Sequence, residues 1–129
     1  MHRLKMRNWQ ERQAGAMHEM SLCEGIVQIL EEQATQQNFS RVRTVWLEVG
    51  AFSGVEKEAM LFSFDVVCRG TLAEGAKLEI IELPARAWCM QCAETVEIEE
   101  RYDPCPKCGG YQLQVVEGEE LRIRELEVD

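Results

Sequence analysis

Two cysteine pairs, Cys89-Met90-Gln91-Cys92 and Cys105-Pro106-Lys107-Cys108, constrain this chain more than any other feature. Two residues between cysteines allow a tight turn whose thiolates converge. Two such turns supply the four soft ligands of a tetrahedral Zn²⁺. Gly109 and Gly110 permit the close backbone approach that such turns require. Thr95–Ile98 and Leu113–Val115 are short alternating runs suited to flanking hairpins. The pattern predicts a zinc ribbon with Cys89, Cys92, Cys105 and Cys108 as ligands. A rubredoxin-like iron site competes, but Ala93 stands where its second glycine would be. A redox C-x2-C motif would use one pair and leave the other idle. A site closed by four protein ligands is structural rather than catalytic.

The three prolines, Pro84, Pro104 and Pro106, all fall beside these cysteines and mark a boundary. Before it, Ser21-Leu22-Cys23-Glu24 has the form of a capping box, predicting a helix that ends near Gln37–Asn38. Val45, Leu47 and Val49 alternate with Trp46 and Glu48 as in a strand. Val55–Cys68 reads as a second helix, with Ala59, Phe62 and Val66 as one stripe and Leu61, Phe64 and Cys68 widening it. Gly70 stands at its C-terminal end. Leu78, Ile80 and Ile81 mark a second strand. In the last segment Leu121 and Ile123 share one phase, and Leu126 and Val128 the other. One inserted residue near Arg124–Glu125 would turn all four inward, predicting a β-bulge. This strand returns to the body's sheet, so the cysteine module becomes an insertion between two neighbouring strands.

The expected fold class is α+β: a small sheet packed by two helices, with an inserted four-cysteine zinc-ribbon lobe. Residues 1–16 are expected to be a disordered or untranslated extension. Residues 17–84 plus 119–129 form the α/β domain, and residues 85–118 the zinc ribbon.

Charge narrows the function. Twenty-three acidic residues against 14 basic ones give a net −9. Residues 1–16 hold four basic side chains against Glu11, which leaves the rest of the chain still more acidic. Nucleic-acid binding rests on cations that neutralise phosphates, so a DNA- or RNA-binding ribbon is disfavoured. Only His2 and His18 are present, and no hydrolase triad, phosphate loop or H-E-x-x-H motif occurs. An enzyme is not expected. Cys23 and Cys68 read as buried small hydrophobes. Trp46 reads equally as core or as a partner surface.

From Met17 onward the chain resembles the HypA/HybF family of hydrogenase nickel-incorporation proteins. The likeness is carried by Met17-His18-Glu19, Val45–Ser53, Phe64–Gly70 and the four-cysteine site. The resemblance implies a nickel metallochaperone with a structural zinc. A reducing cytoplasm is expected separately, because residues 1–16 hold no apolar run of the kind a secretory signal requires. His18 would be the main Ni²⁺ ligand, with Glu19 and Met17 beside it. It implies a HypB-type GTPase partner and the [NiFe] hydrogenase large subunit as recipient, and it allows a homodimer. Nucleic acid and membrane are not expected partners. An amine, the next amide nitrogen and an imidazole close fused chelate rings that suit square-planar Ni²⁺. In the family that methionine is the first residue, whereas here sixteen residues precede Met17. Either translation begins at Met17, or nickel is held through His18, Glu19 and backbone nitrogens. Met1-His2 offers a similar donor set but lacks a following glutamate. The competing class is a zinc-ribbon interaction module that transfers no metal.

Overall fold

A computed structural model describes residues 2–6 and 19–129. The elements run β1 (His2–Lys5), α1 (Glu19–Gln37), β2 (Val42–Gly50), α2 (Lys57–Cys68) and β3 (Lys77–Leu83). They continue with β4 (Ala85–Cys89), β5 (Glu94–Ile98), β6 (Leu113–Glu117) and β7 (Leu121–Val128). The chain is α+β, as its sequence implies, with two sheets. Four strands in the order β1-β7-β2-β3 make the larger one, and three in the order β5-β4-β6 the smaller.

The larger sheet is built around β2. It pairs parallel with β3, and α2 is the crossover that a parallel pair requires. It pairs antiparallel with β7 on its other side. The insertion therefore joins strands on opposite flanks of β2, not neighbours: β2 carries the most apolar alternation and takes the centre. Its pairing skips from Trp46↔Glu125 to Leu47↔Ile123. The skipped Arg124 is the expected bulge, and it brings Leu121, Ile123, Leu126 and Val128 into one core. Leu22, Ile26 and Leu30 of α1 and Met60 and Phe64 of α2 cover this face, where Val45, Leu47 and Val49 meet them.

The helix ends differ from the sequence reading. α1 begins at Glu19, two residues before Ser21, so Ser21 lies within the first turn rather than at the cap. Glu19 and Met20 favour the helix, and an acidic first residue complements its dipole. Its other end is a Schellman closure. Asn38 takes φ 58, and Phe39 N–H donates to Ala34 O at 3.2 Å. α2 starts at Lys57 behind an N-cap, Glu56, whose carboxylate accepts from Glu58 and Ala59 N–H. Its buried face is Met60, Ser63, Phe64 and Cys68, while Phe62 is 67% exposed. The expected stripe through Phe62 is rotated, because Phe64 rather than Phe62 meets α1 and the sheet. Arg69 and Gly70 then form a turn with Gly70 at φ 75 and Thr71 N–H donating to Cys68 O.

Residues 7–16 of the extension expected to be disordered or untranslated lie outside the described residues. Residues 2–5 of that extension instead pair antiparallel with β7. Alternation explains this: Leu4 packs on the main core while Arg3 lies on the opposite face with Trp46 and Glu125.

The smaller sheet has its own core of Ala85, Ala87, Cys89, Val96, Ile98 and Cys105. Its central strand, β4, carries no apolar run and was not legible in the sequence. It alternates only through Ala85, Ala87 and Cys89, all buried. The two sheets meet where backbones nearly touch. Phe52 N–H donates to Gly118 O at 2.6 Å, and Gly50 N–H to Glu120 O at 2.8 Å. Gly118 has φ 124, and a Cβ there would lie 2.8 Å from Ala85 Cα. Arg101 clasps the same seam, with its guanidinium over the Phe52 ring and an ion pair to Glu119.

Candidate metal centres

Strand β4 delivers Cys89 into the first turn, and the loop between β5 and β6 delivers Cys105 and Cys108. The four sulfurs all lie within 4.8 Å of one another. Cys89 Sγ is 3.7 Å from Cys108 Sγ, and Cys92 Sγ is 3.9 Å from Cys105 Sγ. Sulfurs placed 2.3 Å from one tetrahedral Zn²⁺ stand about 3.8 Å apart. The cluster thus has the spacing of a zinc tetrathiolate, and its soft donor set fits that ion.

The two turns are near copies. Ala93 N–H donates to Cys89 O and Gly109 N–H to Cys105 O, each at 2.8 Å. Ala93 sits at φ 55 and Gly109 at φ 74. The missing glycine in the first turn therefore does not change its shape; alanine adopts the left-handed conformation there. Cys92 N–H donates to Cys89 Sγ, and Lys107 N–H to Cys105 Sγ, both at 3.4 Å. The Gln91 side-chain amide lies 3.3 Å from Cys108 Sγ. A Cβ on Gly110 would stand 2.5 Å from that amide oxygen, so the second glycine keeps this contact. Without an ion the thiols are strongly unequal. Contact with the neighbouring sulfurs, Cys108 first, pushes Cys92 up to about 12. The backbone N–H of Cys108, joined by that of Lys107, pulls Cys105 down to about 7. A divalent cation would replace the protons that this crowding retains.

The second candidate lies at the start of α1. Met17 and His18 fall outside the described residues. Glu19 is the first residue of α1, and its Oε2 accepts from Glu56 N–H at 3.2 Å. Because Glu56 caps α2, the carboxylate of Glu19 ties the beginnings of the two helices together. No local sequence signal marks this tie, which depends on how the helices pack.

Cys23 and Cys68 are core residues. Cys23 Sγ lies 3.7 Å from Met60 Sδ, and burial pushes both thiols up to about 12. They are protonated and shielded, as their bland sequence reading implies. Trp46 is half-buried on the sheet face away from the helices, under the Arg3 guanidinium at 4.1 Å. No helix among the described residues is long and apolar enough to cross a membrane.

Residues 17–128 match the family model described as hydrogenase/urease nickel incorporation, metallochaperone, hypA. The hydrogenase maturation factor HypA of Alkalilimnicola ehrlichii is 66% identical over 113 residues, which are 88% of this chain and all of that protein. The corresponding protein of Rhodopseudomonas palustris (strain BisA53) is 61% identical with the same coverage. Among solved structures, that of the Ni metallochaperone HypA from Helicobacter pylori aligns at TM-score 0.62 and 23% identity. It covers 87% of this chain and 97% of that one. A second HypA solution structure aligns at TM-score 0.66 and 24% identity over 89% and 98% of the two chains. These last two likenesses speak to the fold.

Proposed function

From the premise that the chain belongs to the HypA family of nickel metallochaperones for hydrogenase maturation, we propose how its residues divide that work. Cys89, Cys92, Cys105 and Cys108 hold a resident structural zinc. Met17, His18 and Glu19 hold Ni²⁺ as cargo, with the His18 imidazole as main ligand. Residues 17–84 and 119–129 form the nickel-binding domain, and residues 85–118 the zinc domain. The recipient is the large subunit of a [NiFe] hydrogenase, and a HypB-type GTPase is the working partner. The setting is cytoplasmic.

One observation carries the nickel assignment: the family match begins at Met17, so Met17-His18-Glu19 are its opening residues. The chemistry supports it. A carrier needs a site that can let go. Four thiolates enclosing one ion leave no position for an acceptor's ligand. A short nitrogen-and-carboxylate site at a helix start is open on one side, and nitrogen donors suit square-planar Ni²⁺. The Glu19 carboxylate, held by its own helix and by the Glu56 N–H from which it accepts, supports this reading.

The test is nickel titration of the chain and of His18→Ala, with zinc measured in parallel. The variant loses specific nickel binding and keeps one zinc. Full nickel binding in the variant would overturn the assignment. A wild-type chain that takes zinc and no nickel would instead favour an interaction module.

A further inference from the structure

Residues 1–16 lie outside the family match, yet His2–Lys5 form an edge strand of the larger sheet. Without β1, β7 would end that sheet with a row of unpaired backbone groups, which invites pairing with another strand. The residues that cover it fit closely. Arg3 stands opposite Glu127 and Lys5 opposite Glu125, while Leu4 stands opposite Leu126. Arg3 also pairs with Glu125 and caps the Trp46 ring. Leu4 and Met6 pack against the main core from the other face. Met6 N–H donates to Arg124 O at 3.0 Å, extending the ladder past the strand's end. Strand alternation then turns the amides of Leu126 and Val128 toward β1. Those of Glu125 and Glu127 point to β2, as does Asp129 N–H, which donates to Arg41 O.

We propose that the outer edge of β7 is a docking surface for an extended peptide segment that alternates aliphatic and basic side chains. Residues 2–6 occupy it in cis as a detachable clasp. Backbone pairing supplies affinity, the Trp46–Glu125–Glu127 face selects the basic positions, and the core margin selects the aliphatic ones. The clasp is short and its Arg3 side chain is largely exposed, so its ion pair is weak and release is cheap. Tethering keeps it in place against free competitors, because a short linker gives an effective concentration on the order of millimolar.

The test uses the full chain, a double variant Arg3→Glu/Lys5→Glu, and a synthetic peptide with the sequence of residues 1–7. In the wild type the amides of Leu126 and Val128 exchange slowly, and the peptide at about 100 µM does not bind because the edge is filled. In the double variant those two amides exchange about tenfold faster or more. Added peptide restores their protection. The amides of Glu125 and Glu127 stay slow throughout, which reports that the sheet remains folded. Leu4→Pro removes one ladder hydrogen bond without changing charge, and it opens the edge in the same way. Three results would each overturn the proposal: unchanged exchange at Leu126 and Val128 in both variants, no protection by peptide, or equal peptide binding to the wild type.

Discussion

The two sheets are stabilised by different means. The larger one is a conventional core in which helices α1 and α2 bury Val45, Leu47, Leu121 and Ile123. The smaller one has a core of six buried residues, of which two are alanines and two are cysteines of the four-cysteine site. Apolar burial of that size cannot offset the entropy of ordering three strands and their loops. The body is held by hydrophobic surface, and in the lobe a zinc ion in the four-cysteine site would supply the remainder. The same contrast separates the two proposed metals. One would lie inside the small cysteine-rich lobe, and the other at the start of α1, a helix already packed on the main core.

This comparison breaks first at the cysteines. Cys105→Ser is expected to remove tight zinc and all slow amide exchange in β4–β6, while β2 and β7 keep theirs. Structural zinc in small domains supplies roughly 10–16 kcal/mol of folding free energy, so the lobe should not survive. Loss of protection in β2 as well would show that the sheets are one cooperative unit.

Leu47→Ala probes the other side. Leu47 is fully buried at the centre of the larger sheet, so denaturant unfolding of the body should lose about 2–5 kcal/mol. Zinc content should stay at one per chain. A Leu47→Ala chain that sheds its zinc would sink the separation of the two regions.

The seam responds next. Gly118→Ala combines a φ of 124 with a Cβ 2.8 Å from Ala85 Cα. It is expected to cost about 2–3 kcal/mol. Amide shifts should concentrate at Gly50, Phe52 and Ala85, which meet at that seam. The smallest effect is a gain. Ala93→Gly relieves a left-handed alanine and should stabilise the zinc-loaded lobe by about 1 kcal/mol, read as slower zinc release to a chelator.

The sequence made the metal lobe legible because ligand spacing is a local property. The β7 bulge was also legible, since Leu121, Ile123, Leu126 and Val128 cannot share a face without it. Legibility failed where partners are distant. Phe62 and Phe64 are equally apolar, and only the packing of α2 on α1 decides that Phe64 is buried. β4 has an alanine alternation too weak to read, and it becomes a strand because β5 and β6 flank it. β1 was hidden by its charge. Arg3 and Lys5 suggested a solvated tail, whereas they answer Glu125 and Glu127 across a strand pair. The proposed nickel donors, Met17, His18 and Glu19, rest on the family resemblance of a short motif rather than on the fold. The tie from Glu19 to the start of α2 required the fold.

The most direct test is the metal content of the intact chain after exposure to excess Ni²⁺, measured before and after brief chelation. Two different sites predict one zinc and one nickel per chain beforehand. Afterward the zinc remains and the nickel is gone, and His18→Ala never acquires the nickel. Nickel that displaces the zinc, or nickel retained as firmly as zinc, would contradict the division into a resident ion and a cargo ion.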